Sequence, residues 1–228
     1  MESLQIFFEN ADFVVVNKPE NLNFHSENQP GLVVFVQKMF PNDTIFPVHR
    51  LDKMTSGLIL FAKHKTAAQQ LGELFAERKL QKFYLALAHG KPKKKQGWVK
   101  GDMLPARRGS WKLSNTLENP AITQFVSQLT VPGERLYLLK LHTGKTHQIR
   151  VAMKSLGVPI LGDLRYQETA KASLADRGYL HAYAVKFDFK GQTYQFVLPP
   201  SQGAEFQKPE VQMLIQQWAQ PWQYFIKE

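Results

Sequence analysis

Short apolar runs broken by turn residues, rather than long amphipathic stretches, dominate this chain. Phe13-Val14-Val15-Val16 stops at Asn17-Lys18-Pro19, and Leu58-Ile59-Leu60-Phe61 begins behind Thr55-Ser56-Gly57. Runs of about 4–8 β-branched, aliphatic or aromatic residues bounded by Gly, Pro, Asn and Ser have the signature of strands. Phe83 to Ala88, Ala121 to Leu129, Arg135 to Leu141, Ala184 to Phe189 and Thr193 to Leu198 read the same way, the last two joined by Lys190-Gly191-Gln192 as a tight turn. Helical spacing is confined to four places: Leu32, Phe35, Val36 and Met39; Ala67, Leu71, Leu74 and Phe75; His147 to Leu156; and Val211, Leu214, Ile215 and Trp218. Strands outnumber helices and follow one another by short connections. The expected class is α+β, with a mixed, mainly antiparallel sheet and flanking helices. No repeat, low-complexity tract or linker divides the 228 residues, so one domain spanning residues 1–228 is expected.

Charge is the next constraint. The formal net charge is +10, and residues 61–120 carry 13 basic against 4 acidic side chains. The densest run is Lys91, Lys93, Lys94, Lys95 and Lys100, followed by Arg107, Arg108 and Lys112, with Pro92, Gly97, Gly101, Pro105 and Gly109 interleaved. So many helix breakers predict loops or a long hairpin. Trp98 and Trp111 lie within it, and basic residues interleaved with aromatic ones suit a polyanion whose bases can stack, RNA above all. A solvated lysine loop is the alternative.

The absence of cysteine removes disulfides, thiolate zinc sites and Cys nucleophiles. No apolar run approaches the length of about 18 residues that marks a membrane span, and no secretory signal is seen. A cytoplasmic location is expected.

Two polar blocks interrupt this plan. His49-Arg50-Leu51-Asp52-Lys53 sits directly before the turn that opens an apolar strand, so Asp52 is expected in a partly dry site and in need of a cationic or hydrogen-bonding partner. Asp52 could instead cap the turn. In the second block, Thr143 to Arg150, Gly144-Lys145-Thr146 invites a phosphate-loop reading, but Leu139 stands where that loop needs glycine, so no nucleotide cofactor is expected. On the helix expected from His147, Arg150 shares a face with His147 and opposes Ile149 and Met153, which lets a guanidinium point into a cleft. On the strand from Lys82, alternation puts Tyr84 with Lys82 and Ala86, away from Phe83, Leu85 and Leu87. The seven histidines show no zinc spacing and no carboxylate cluster suggests a metal.

At these residues the chain resembles the RluA-type family of RNA pseudouridine synthases. The signature is His49-Arg50-Leu51-Asp52-Lys53 with Thr55-Ser56-Gly57-Leu58. Supporting blocks follow in family order from Asn17-Lys18-Pro19 through Lys82 to Leu87, Thr146 to Arg150, Gly162-Asp163 with Tyr166, Leu180-His181-Ala182 and Leu198-Pro199-Pro200. The resemblance implies isomerisation of uridine in rRNA or tRNA to pseudouridine by a monomer, without cofactor or metal, on a mostly antiparallel sheet with a central basic cleft. It implies that Asp52 is the catalytic aspartate, that Tyr84 stacks on the target base, that Arg150 pairs with the aspartate, and that Arg50 fills the gap left by the flipped nucleotide. RNA contacts are expected from His49, Lys53, Lys145, His147 and Gln148, with Lys93, Lys94, Arg107 and Arg108 from the basic run. The S4-type RNA-binding domain that many relatives carry at the N-terminus is not expected. Three positions depart from the family: Lys145 stands for the usual Arg, Ala152 for His and Asn21 for Gly. A catalytically idle RNA-binding protein of the same fold is the alternative, against which intact Asp52 and Tyr84 argue.

Overall fold

A computed structural model describes residues 4–225. In chain order the strands are β1 (Gln5–Glu9), β2 (Phe13–Lys18), β3 (Phe46–Pro47), β4 (Ser56–Ala62), β5 (Gln81–His89) and β6 (Gln96–Gly101). There follow β7 (Met103–Pro105), β8 (Trp111–Leu113), β9 (Ala121–Leu129), β10 (Glu134–Leu141), β11 (Leu180–Phe189) and β12 (Gln192–Val197). The helices are α1 (Leu32–Met39), α2 (Lys65–Ala76), α3 (Gln148–Ser155), α4 (Thr169–Ala172) and α5 (Pro209–Gln217).

Ten strands form one sheet in the order β1-β2-β4-β11-β5-β10-β9-β6, with β12 added to β11 and β3 to β4. Every described pairing is antiparallel except β11 with β4, where His181 faces Ser56 and Ala182 faces Gly57. The expected α+β class and mainly antiparallel sheet are therefore what the chain adopts. β2 and β4 read as unbroken apolar runs because both their faces are covered. Val14, Val16, Ile59 and Phe61 enter one core, while Phe13, Val15, Leu58 and Leu60 enter a second, closed by Ala67 and Leu71 of α2. Burying one such side chain contributes about 1.5–3 kcal/mol, so the two cores hold these central strands firmly. Lys190 and Gly191 both take positive φ, 49° and 77°, which makes the β11–β12 connection the two-residue primed turn that strand twist favours.

Two local expectations need correction. The basic run is loop at Lys91 to Lys95, as expected, but not beyond. Gln96 to Gly101 joins the main sheet at its edge, with Val99 and Gly101 buried and Trp98 and Lys100 exposed, and only β7 and β8 make a separate hairpin. Period-two burial wins there over the breakers around it. His147 also lies outside its helix. It holds a left-handed backbone at φ 58°, ψ 18° immediately before α3.

The pairing registers align one row across the sheet. Lys18 faces Gly57, Gly57 faces Ala182, Ala182 faces Tyr84, and Tyr84 faces Leu139 at the end of the strand that leads to α3. With strands about 4.8 Å apart, this row brings three distant segments of sequence to one place.

Candidate active site

Asp52 lies in the turn before β4, where the Thr55 amide donates to its backbone carbonyl at 3.0 Å. Its side chain does not cap that turn. It accepts from Nη1 of Arg150 at 3.1 Å, with the carboxylate side chain 18% exposed and the guanidinium 9%. The loop is fixed from beneath by Lys18, fully buried at the end of β2. Its Nζ donates to the carbonyls of Pro19 (2.9 Å), Lys53 (3.1 Å) and Thr55 (2.8 Å), the last two in the turn that follows Asp52. Burial pushes the Lys18 ammonium down to about 7, against the pull of the Glu20 and Asp52 charges.

Arg150 is held by more than Asp52. Its Nε and Nη2 donate to the two carboxylate oxygens of Asp163, both at 2.8 Å, and Asp163 is fully buried. The guanidinium also lies 5.0 Å from the centre of the Tyr166 ring. Burial works against its charge, but the hydrogen bond and charge of Asp163, with those of Asp52, outweigh it and raise the Arg150 pKa. Such bidentate pairs fix orientation as well as charge. The Tyr166 hydroxyl accepts from the Trp111 amide at 2.9 Å and meets His147 Nδ1 at 2.9 Å, tying the β7–β8 hairpin and His147 to the same cluster.

Tyr84 completes the group from the centre of the sheet. Only 7% of it is exposed, and its hydroxyl has no hydrogen-bond partner among the described residues. Burial, then the Asp52 charge, pushes the phenol pKa up. Asp52, Tyr84 and Arg150 all line a cavity of about 490 Å³, within the usual range for a ligand-sized site. A second hollow of about 1180 Å³ adjoins it, sharing Arg50, Leu51, Asp52, His147 and Arg150 with the first. The carboxylate thus stands where the two hollows meet.

A family model described as RNA pseudouridylate synthase matches residues 12–155. The chain belongs to that family. It is 45% identical over 214 residues to an uncharacterized RNA pseudouridine synthase of Haemophilus influenzae, covering 93% of this chain and 95% of that protein. It is 36% identical over 190 residues to the dual-specificity RNA pseudouridine synthase RluA of Pasteurella multocida, covering 81% and 86%. Among solved structures, human RNA pseudouridylate synthase domain containing 1 superimposes with a TM-score of 0.77 at 25% identity, covering 96% of each chain. Pseudouridine synthases are isomerases, and this synthase has the fold and the RNA-directed chemistry of its family.

The structure sorts the expected RNA contacts of the synthase. Arg50 is exposed where the two hollows meet, and Lys53, Arg107 and Arg108 line the larger one. Lys145 lines the smaller cavity with its Nζ on Asn119 at 2.7 Å. Gln148 also lines the smaller cavity, with its side-chain amide already engaged by the protein. Its Oε1 accepts from Thr143 and Lys145, and its Nε2 donates to Ile122 and Thr123, so the buried amide is spent on clamping this loop to β9. His49 is likewise engaged. Its Nε2 accepts from the Leu60 amide at 3.0 Å, its ring stacks on Phe75, and burial, with the Lys82 charge, lowers its pKa to about 3, so it serves β4 as a neutral ring. Lys93 donates to the Ser155 carbonyl at the C-terminus of α3, and neither it nor Lys94 lines either hollow.

Two departures from the family pattern fit this backbone. Asn21 takes φ 58°, a conformation glycine adopts freely and asparagine tolerates. Ala152 is buried on α3. Residue-by-residue reading missed the roles of Lys18, Asp163 and Tyr166. The signal for Asp163 and Tyr166 was their place in the Gly162-Asp163 and Tyr166 block of the resemblance. The structure shows that Gly162, with φ 77° and the Arg177 carbonyl against it, admits no side chain.

Proposed function

We propose that the chain isomerises uridine in ribosomal or transfer RNA to pseudouridine, with Asp52 as the catalytic carboxylate. The observation that carries this reading is the Asp52–Arg150 ion pair at 3.1 Å, facing a cavity that Tyr84 also lines. The reaction breaks a glycosidic bond, turns the uracil in place and joins its C5 to the sugar. A carboxylate serves it as nucleophile or as base. Arg150, clamped by Asp163, keeps that carboxylate aimed into the pocket. The target atoms are hidden in a stacked helix, so the nucleotide must be flipped out at a cost of roughly a few kcal/mol. Stacking of the uracil on Tyr84 offsets part of this cost, at about 1–3 kcal/mol per base. Arg50, at the mouth between the hollows, is placed to occupy the vacated position, and Arg107 and Arg108 to meet the flanking backbone. Residues 1–228 act as one catalytic domain, as a monomer in the cytoplasm, without cofactor or metal.

The test uses RNA tritiated at uridine C5 and isolated from cells lacking the gene. Wild-type protein should release tritium to water with no free uracil. Asp52→Asn should abolish release while retaining RNA binding. Labelled free uracil would make the protein a glycosylase, and binding without any release would make it an idle RNA-binding protein. Mapping the pseudouridines lost from those cells identifies the RNA and the position.

A further inference from the structure

Lys82 lies on β5 two residues before Tyr84, on the same face of the strand, and lines the same cavity. It differs from the other buried cations nearby. Arg150 has two carboxylates and Lys18 has three carbonyls. Lys82 has no hydrogen bond and no ion pair among the described residues. Its Nζ hangs 5.4 Å from the centre of the Phe75 ring, and a Cβ built on Gly144 would stand 3.6 Å from it. His49, which senses its charge, is a neutral ring already bonded to the Leu60 amide. Burial pushes the Lys82 pKa down.

A half-buried ammonium without a counter-ion is unfavourable. Among the described residues no acidic side chain is in reach of it, which leaves the place of its counter-ion open to a bound anion. The side chains of Lys82 and Tyr84 are about 7 Å apart along the strand, close enough for one nucleotide to touch both. We propose that Lys82 binds a backbone phosphate beside the flipped uridine, fixing the nucleotide whose base Tyr84 receives. This rests on the reading of the cavity as the uridine site, and it adds a binding residue distinct from the catalytic ones. The bare glycine at 144 leaves the approach to the ammonium open.

The test compares Lys82→Gln and Lys82→Arg on the same tritiated RNA. Lys82→Gln should raise the half-saturating RNA concentration roughly tenfold or more, leave turnover at saturation unchanged, and make log affinity less steep against log salt by about 0.7. Lys82→Arg should keep the wild-type salt slope. Neither substitution should lower the melting temperature, as loss of a merely structural lysine would. A Gln variant that loses turnover at saturation with its half-saturation and salt slope intact would place the ammonium on the reacting base and overturn the phosphate contact. So would a variant indistinguishable from wild type. Filter binding of the same RNA reads the salt slope even if wild-type protein releases no tritium, so failure of the isomerase reading and failure of the Lys82 contact give different results.

Discussion

Asp163 grips Arg150 through two hydrogen bonds of 2.8 Å and leaves a third N–H to reach Asp52 at 3.1 Å. The Asp52–Arg150 pair is therefore part of a triad of charges, of which Asp52 and Arg150 line the cavity and Asp163 does not. Removing one partner of a buried ion pair strands the other and costs about 3–5 kcal/mol. Asp163→Asn should lower stability by that order in urea unfolding, and lower turnover because Arg150 loses its aim. A variant with wild-type unfolding and wild-type tritium release would show that Arg150 needs no second carboxylate.

Tyr84 offers a ring and a hydroxyl, and the two can be separated. Tyr84→Phe keeps the stacking surface, so RNA affinity should hold, while turnover should fall by about 10²–10⁴ if the hydroxyl moves a proton. Tyr84→Leu should lose affinity as well, by about 1–3 kcal/mol. Single-turnover tritium release beside filter binding distinguishes them. Equal turnover in Phe and wild type would reduce Tyr84 to a stacking platform.

The sequence made Asp52, Arg150 and Tyr84 legible for different reasons. An Asp wedged before a strand that must enter the core had to find a partner. Tyr84 had to face away from Phe83 and Leu85. Lys18 was invisible as a clamp because its partners are backbone carbonyls, which leave no trace in side-chain type. Asp163 was recognisable as part of a block but not as Arg150's partner, since its loop reaches α3 only through tertiary packing. In the basic run only Gln96 to Gly101 departs from the expected loop, because Gly97 and Gly101 look like breakers while β9 supplies a full register of partners there. Such edge pairing belongs to the whole sheet rather than to local propensity. His147 read as helical because its spacing from Arg150 fits a helix, but its ring is bound to Tyr166 from a left-handed backbone.

Two glycines should respond in opposite directions to the same change. Gly57 has φ +104°, and a Cβ there would lie 2.3 Å from the Ala182 carbonyl oxygen, at the parallel junction that sets Tyr84 beside the Asp52 loop. Gly57→Ala should cost more than about 4 kcal/mol, the range of severe backbone and packing lesions. Gly72, inside α2, has nothing within 4 Å of a built Cβ. Gly72→Ala should stabilise by about 0.5–1 kcal/mol. Thermal melts of the pair test the register directly. A mild Gly57→Ala phenotype is incompatible with the β4–β11 pairing described.

His181 makes stability depend on pH. It is buried beside the site, with Nε2 2.8 Å from the Leu198 carbonyl and Nδ1 2.8 Å from Ser56 Oγ, which also accepts from Arg177. A carbonyl only accepts, so Nε2 carries the proton and Nδ1 takes the one from Ser56. Burial lowers the ring's pKa to about 3, with Arg177 adding to the fall and the Leu198 bond opposing it. Unfolded, the same ring titrates near 6.5. Between those values the unfolded chain binds a proton that the folded chain refuses. The stabilising contribution is thus complete above about pH 6.5 and is lost as pH falls toward about 3, with a slope of up to about 1.4 kcal/mol per pH unit. His49 adds a loss of the same sign in the same window. Urea unfolding across this range should show stability falling steeply on acidification, and His181→Gln should be weaker at neutral pH but flatter below it. A variant that keeps the wild-type slope would assign the acid sensitivity to other groups.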